Sequence, residues 1–154
     1  MTGSVYAIEC SQRLEAPAAD IFAAWTMPEK IQTWLAPGAM VVDSVELDLR
    51  VGGRFSIQVI DPQDNPYTAC GVYREISPAR MLSCSWQWTD SNYDTVLHMH
   101  LAGGDQNATD LTLHQSGFPD SRARERNEQY WSGCLMKLKD LFFVNTVEYT
   151  LSHE

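Results

Sequence analysis

Positive charge is in short supply: 11 lysines and arginines face 20 acidic residues, giving a net charge of −9 over 154 residues. Phosphate backbones and anionic lipid headgroups repel such a surface, so neither nucleic acid nor a membrane is expected as the main partner. The one local concentration of base, Arg122 to Arg126, reads as a solvated helix turn. Long apolar runs are missing too, and no stretch approaches the ~20 residues that span a bilayer. The opening MTGSVYAIEC has no basic region leading into an apolar core, so no signal peptide is expected and the chain reads as cytoplasmic. Paired-cysteine spacing is absent. Cys10, Cys70, Cys84 and Cys134 are scattered, each in an apolar periodic run where a free thiol behaves as a small buried hydrophobe. Neither a zinc site nor a disulfide set is therefore expected. Walker-type loops and GxSxG are lacking, and no Ser-His-Asp or Cys-His arrangement can be assembled. Catalytic residues, metal and cofactor are all expected to be none.

What is present is hydrophobic periodicity. At 44% hydrophobic content, residues 1–154 are expected to form one domain. A domain of this length buries roughly 70% of its unfolded surface, enough to spare some interior for a cavity. From residue 121 to about 144, Trp131, Leu135, Leu138 and Phe142 recur at helical spacing, widened by Cys134 and Leu141. Arg122, Arg124, Arg126 and Lys139 are left for solvent. Upstream, residues 5–14 alternate as a strand, Pro17 to Trp25 and Pro28 to Trp34 suggest two short helices, and from residue 40 the period changes to two. Val45, Leu47 and Leu49 share one strand face. Gly52-Gly53 marks a hairpin, and Phe55, Ile57 and Val59 follow. Further strands are expected over about 67–76, 82–88, 94–101 and 109–116. A long amphipathic helix must bury its stripe, and here only a sheet is available.

These residues, in this order, resemble the START-like (SRPBCC) superfamily, and more closely the homologues of the activator of heat-shock-protein-90 ATPase. Ala16-Pro17, Ile21-Phe22, Trp25-Thr26-Met27-Pro28-Glu29 and Trp34 resemble the first helix pair. Asp48 to Phe55 is similar to the glycine-pair hairpin, Gly71 to Pro78 to the fourth strand, and Thr109 to Leu113 with Ser116-Gly117-Phe118 to the last strand and its exit. Trp131, Leu135 and Leu138 match the closing helix. The chain departs at Gln12, Ala79, Gln115 and Tyr130, where the family commonly has Arg, Pro, His and Gly. No polar role is carried over to those positions. The resemblance implies an α+β, helix-grip fold: a curved antiparallel sheet of about seven strands, ordered β-α-α-β-β-β-β-β-β-α, wrapped around a long C-terminal helix.

It further implies a cavity between sheet and helix that takes an apolar small molecule. Trp25, Trp34, Phe55, Ile57, Tyr73, Trp86, Trp88, Met99, Phe118, Trp131, Leu135 and Leu138 are the expected lining, around a pocket of ~300–1,000 Å³. The competing reading is that these aromatics simply fill the core. His98, His100 and His114 form the one polar cluster. If the intervening loop is symmetric about residue 106, His114 lies opposite His98, but on the outer face, where solvated histidines outweigh a metal site. Asp48 with Arg50 and Arg54 reads as an ion pair beside the hairpin. Tyr67, Tyr73 and Tyr130 could each meet a ligand's polar end. Three functions are carried forward: a binder of an apolar or aromatic molecule without metal or covalent chemistry, a cyclase- or dehydratase-like enzyme using the same cavity, and a stress-related co-chaperone or interaction module. Homodimerisation is compatible with any of them.

Overall fold

The computed structural model describes residues 6–103 and 107–152, with side chains described as far as residue 143. The elements are β1 (Ala7–Leu14), α1 (Ala18–Thr26), α2 (Pro28–Ile31), β2 (Val41–Leu47), β3 (Arg54–Ile60), β4 (Pro66–Ser77), β5 (Met81–Trp88), β6 (Thr95–Gly103), β7 (Thr109–Ser116) and α3 (Ser121–Ser152). All seven strands join one antiparallel sheet in the order β1-β7-β6-β5-β4-β3-β2. The two chain-consecutive strands β1 and β2 thus lie at opposite edges, and α1 and α2 carry the chain between them. Alternation fixes which residues point inward: Phe55, Ile57 and Val59 on β3, Leu97, Met99 and Leu101 on β6, and Leu111 and Leu113 on β7 are all buried.

α3 opens on Asp120, whose carboxylate accepts the Ala123 backbone N–H at 2.8 Å and so satisfies one of the helix's free donors. Its buried stripe begins earlier than the apolar pattern suggests. Ala123 and Asn127 precede Trp131, Cys134, Leu135 and Leu138 at the same helical spacing. Leu141 and Phe142 are only half-buried. The helix also runs past residue 144 to Ser152, because no proline falls within it and its one glycine, Gly133, lies mid-helix without breaking the backbone ladder. Within the described residues no helix is long and apolar enough to cross a membrane.

α3 is clasped by the segment after α2. The Tyr130 hydroxyl donates to Leu35 O at 2.8 Å, and the Lys137 ammonium to Met40 O at 3.2 Å. Between them lies Gly133, where a Cβ would come within 2.4 Å of the Pro37 Cβ. Positions 130, 133 and 137 share one helix face, so the three contacts act along a single line.

The hairpin between β2 and β3 differs from the expected two-residue turn. β2 stops at Leu47, and Leu49 is exposed in a loop. The loop folds on itself through Arg50 N–H to Asp48 O and Gly53 N–H to Arg50 O, both 2.8 Å. It then pairs with β4 instead, by Gly52 N–H to Tyr73 O and Tyr73 N–H to Gly53 O. The ion pair is Asp48 with Arg50, at 2.7 Å. Gly71 on β4 lies directly beneath the ring of its cross-strand partner Phe55, and any Cβ there would collide with Ser85 O at 1.9 Å.

Candidate functional site

The sheet's concave face and α1 converge on an aromatic cluster. Phe55 packs against Tyr73 and Trp86, with ring centroids 5.3 and 5.6 Å apart. Trp131, from α3, lies between Trp86 at 5.1 Å and a stacked Trp25 at 5.8 Å. Such contacts are worth ~0.5–1.5 kcal/mol each beyond area burial, and they draw the rings together. The enclosed space is correspondingly small, about 30 Å³. That admits one or two water-sized groups, not the ligand-sized void the sequence suggested. Trp25, Phe55, Ile57, Tyr73, Trp86 and Met99 line it, together with Ile31, Leu35, Leu82, Cys84 and Leu97. Trp34, Phe118, Trp131, Leu135 and Leu138 are buried but outside this lining.

The polar groups of this interior divide into two sets. Three indole N–H groups have partners: Trp34 donates to Ala24 O at 2.9 Å, Trp131 to Gln115 Oε1 at 2.9 Å, and Trp88 to Asn127 Oδ1 at 3.2 Å. Trp25 Nε1 and Trp86 Nε1, both buried, have none. Each unpaired buried donor costs ~1–3 kcal/mol. Burial also pushes the Tyr73 hydroxyl above its ordinary range, with the neighbouring Cys84 adding to the effect. Burial alone pushes the Cys84 thiol up to about 12. Both groups therefore stay protonated.

Gln115 is fully buried and joins helix to sheet. It accepts from Trp131, and its Nε2 donates to Thr95 Oγ1 at 2.8 Å, which in turn donates to Trp86 O at 2.7 Å. Sequence reasoning assigned this position no polar role. The signal was available, because residues 111, 113 and 115 share a strand face and a glutamine among inward leucines requires partners.

Outside the cluster, an open groove of about 880 Å³ runs between the β3–β4 and β5–β6 turns and the first turns of α3. Trp88, Tyr93 and Tyr130 supply its aromatic surface, and Asn127, Tyr67, Asp61 and Arg126 line it as well. Trp88 is the point where groove and interior meet. It packs edge-on against buried Trp86 at 5.9 Å and against Tyr130 at 5.0 Å. Asn127 fixes it in place, donating its own amide to Ala123 O at 2.8 Å. The Tyr130 hydroxyl is committed to Leu35, and that of Tyr67 to Asp61 at 3.3 Å. Asp61 is held below the usual carboxylate range by the hydrogen bonds it accepts, that of the Asn65 backbone first.

The histidines do meet as the loop symmetry required. His98 and His114 are direct cross-strand partners with ring centroids 6.2 Å apart, and His100 lies 6.3 Å from His98. Burial, then the charges of His114 and His100, push the His98 pKa below its ordinary value. Among the described residues no group of three or more His, Cys, Asp or Glu is arranged to hold a metal ion.

A seven-stranded antiparallel sheet gripping a long terminal helix, with two short helices between its first two strands, defines the helix-grip, START-like class. Residues 15–142 match the family described as activator of Hsp90 ATPase homolog 1-like protein, and the chain belongs to that family. Among solved structures, protein CV1439 from Chromobacterium violaceum is 26% identical, with a TM-score of 0.82 over 89% of this chain and 96% of that one. The AHSA1 protein SPO3351 from Silicibacter pomeroyi is 16% identical, with a TM-score of 0.80 over 90% of this chain and 99% of its own. PFC0360w, described as an HSP90 activator from Plasmodium falciparum, is 21% identical, with a TM-score of 0.72 over 90% and 96% respectively. No curated protein matches the chain.

Proposed function

We propose that this protein is a cytoplasmic, single-domain binder of an apolar or aromatic small molecule, held between the sheet and α3 without metal or covalent chemistry. The observation that carries the reading is Trp88, a shared wall with the open groove on one side and the buried aromatic cluster on the other. A flat molecule settles first on Trp88, Tyr93 and Tyr130 and then replaces aromatic contacts within the cluster by its own, at little net cost in buried area. Native mass spectrometry of freshly purified protein, followed by tryptophan-fluorescence titration with flat apolar molecules, tests this. A co-purified mass or a saturable one-to-one titration, weakened at least tenfold in Trp88→Ala, is expected. A folded protein that carries no mass and responds to no member of the panel refutes it.

A second reading rests on Tyr73. An inward phenol held protonated can donate to a carbonyl, as a cyclase or dehydratase acting on a poly-oxo substrate requires. In that case Tyr73→Phe abolishes turnover while leaving binding intact. A substrate processed equally by the variant removes Tyr73 from the chemistry.

A further inference from the structure

We infer that the interior ligand presents a hydrogen-bond acceptor, a carbonyl or quinone oxygen on a neutral flat ring system, and that the Trp25 and Trp86 indoles supply the donors. This rests on the interior-binding reading above and names the chemistry it selects. Of the chain's five tryptophans, Trp25 and Trp86 alone lack a partner for a buried N–H, and both line the interior cavity. They flank Trp131 on two sides, whose own N–H is consumed by Gln115, so the stack supplies two free donors and no spare acceptor. Phenylalanine would fill the same space without an unpaired donor.

The rest of the wall sharpens the selection. Among the described residues no Asp, Glu, Lys, Arg or His lines this cavity, so a charged ligand group would be buried without a counter-charge. The other polar groups on the wall, the Tyr73 hydroxyl and the Cys84 thiol, stay protonated through burial and can also donate. An enclosed volume of about 30 Å³ matches an oxygen-sized group. A ligand's ring would extend past Trp86 towards Trp88 and the groove. A hydrocarbon of the same shape would leave both indoles unpaired, and an ammonium group would set donor against donor.

The test compares indane with 1-indanone, bicycles of nearly equal shape that differ by one carbonyl. Affinities are measured by calorimetry on the full chain, and the five indole N–H signals are followed by NMR in ¹⁵N-labelled protein. The ketone is expected to bind at least ~10-fold tighter, the equivalent of one net hydrogen bond. It should move the Trp25 and Trp86 indole protons downfield and leave the other three nearly still. Trp25→Phe with Trp86→Phe should bring the two affinities together while indane binding persists. The wild-type NMR result stands even if that variant fails to fold. Equal affinity for the two probes, or indole signals that exchange only with water and ignore the ketone, overturns the inference while leaving the interior binder intact. Binding of neither probe overturns both.

Discussion

Replacing Gln115 by leucine isolates the fully buried polar link between the sheet and α3 and leaves the other, Trp88 to Asn127, in place. The substitution roughly preserves volume, but it leaves the Trp131 N–H without its 2.9 Å acceptor in a fully buried position. Thr95 keeps its bond to Trp86 O and loses only the amide it accepted from. The unpaired indole costs ~1–3 kcal/mol, and losing the second bond adds about 0.5–1.5 kcal/mol, partly offset by burying an apolar side chain. A net loss of about 2–3 kcal/mol follows, which for a chain of this size lowers Tm by roughly 4–12 °C. Urea denaturation of wild type, Gln115→Leu, Trp131→Phe and the double variant measures it. The midpoint should fall with an unchanged slope, and the double variant should be more stable than the singles sum to, by ~1 kcal/mol. A loss below about 0.5 kcal/mol for Gln115→Leu, or strict additivity, would refute the link's energetic role.

Two further perturbations probe the packing around the cluster. Gly71→Ala should cost about 3 kcal/mol, and adding Phe55→Leu should not restore it, because the Ser85 carbonyl remains 1.9 Å from the new Cβ. Full rescue by that second change would place the constraint in the ring alone. The buried thiols make stability sensitive to alkali. Cys84 holds its proton up to about 12 when folded against about 9 ordinarily, so its contribution is complete below pH 9 and is lost between pH 9 and 12. Burial raises Tyr73, Tyr130 and Cys134 in the same direction. Denaturation midpoints should therefore fall progressively above pH 9, and native thiol titration at pH 8 should reach Cys10 and Cys70 long before Cys84 and Cys134. A flat profile to pH 12 would contradict the burial of these groups.

The sheet was legible because alternation is a one-residue signal: β3, β5 and β7 declare their faces in Phe55-Ile57-Val59, Leu82-Cys84-Trp86 and Leu111-Leu113. The His98–His114 pairing followed from loop symmetry in the same way. What escaped was the polar interior. Asn127 and Gln115 sit at core positions without being apolar, so a hydrophobic stripe passes over them, and their value lies in partners from other elements. Ala123 was missed because a small residue scarcely registers in a periodic pattern. The size of the cavity was not legible at all. Tryptophans that line a void and tryptophans that fill it obey the same alternation, and only the centroid spacings near 5–6 Å show that here they close on one another.

The placement of β1 beside β7 also sets the order in which the molecule can form. Among the described residues β1 hydrogen-bonds to no other strand, and the Thr109 hydroxyl reaches back 93 residues to Ala16 O. On a growing chain β1 is made early and waits for a partner made late, while the meander from β2 to β7 zips up through short turns. The helix that covers the meander's inner face follows later still. Until α3 docks, Trp86, Met99 and Leu113 face water, so the nascent chain passes through a long, sticky interval before closing. A protein whose first strand can be seated only by its last one completes its sheet in a single late step.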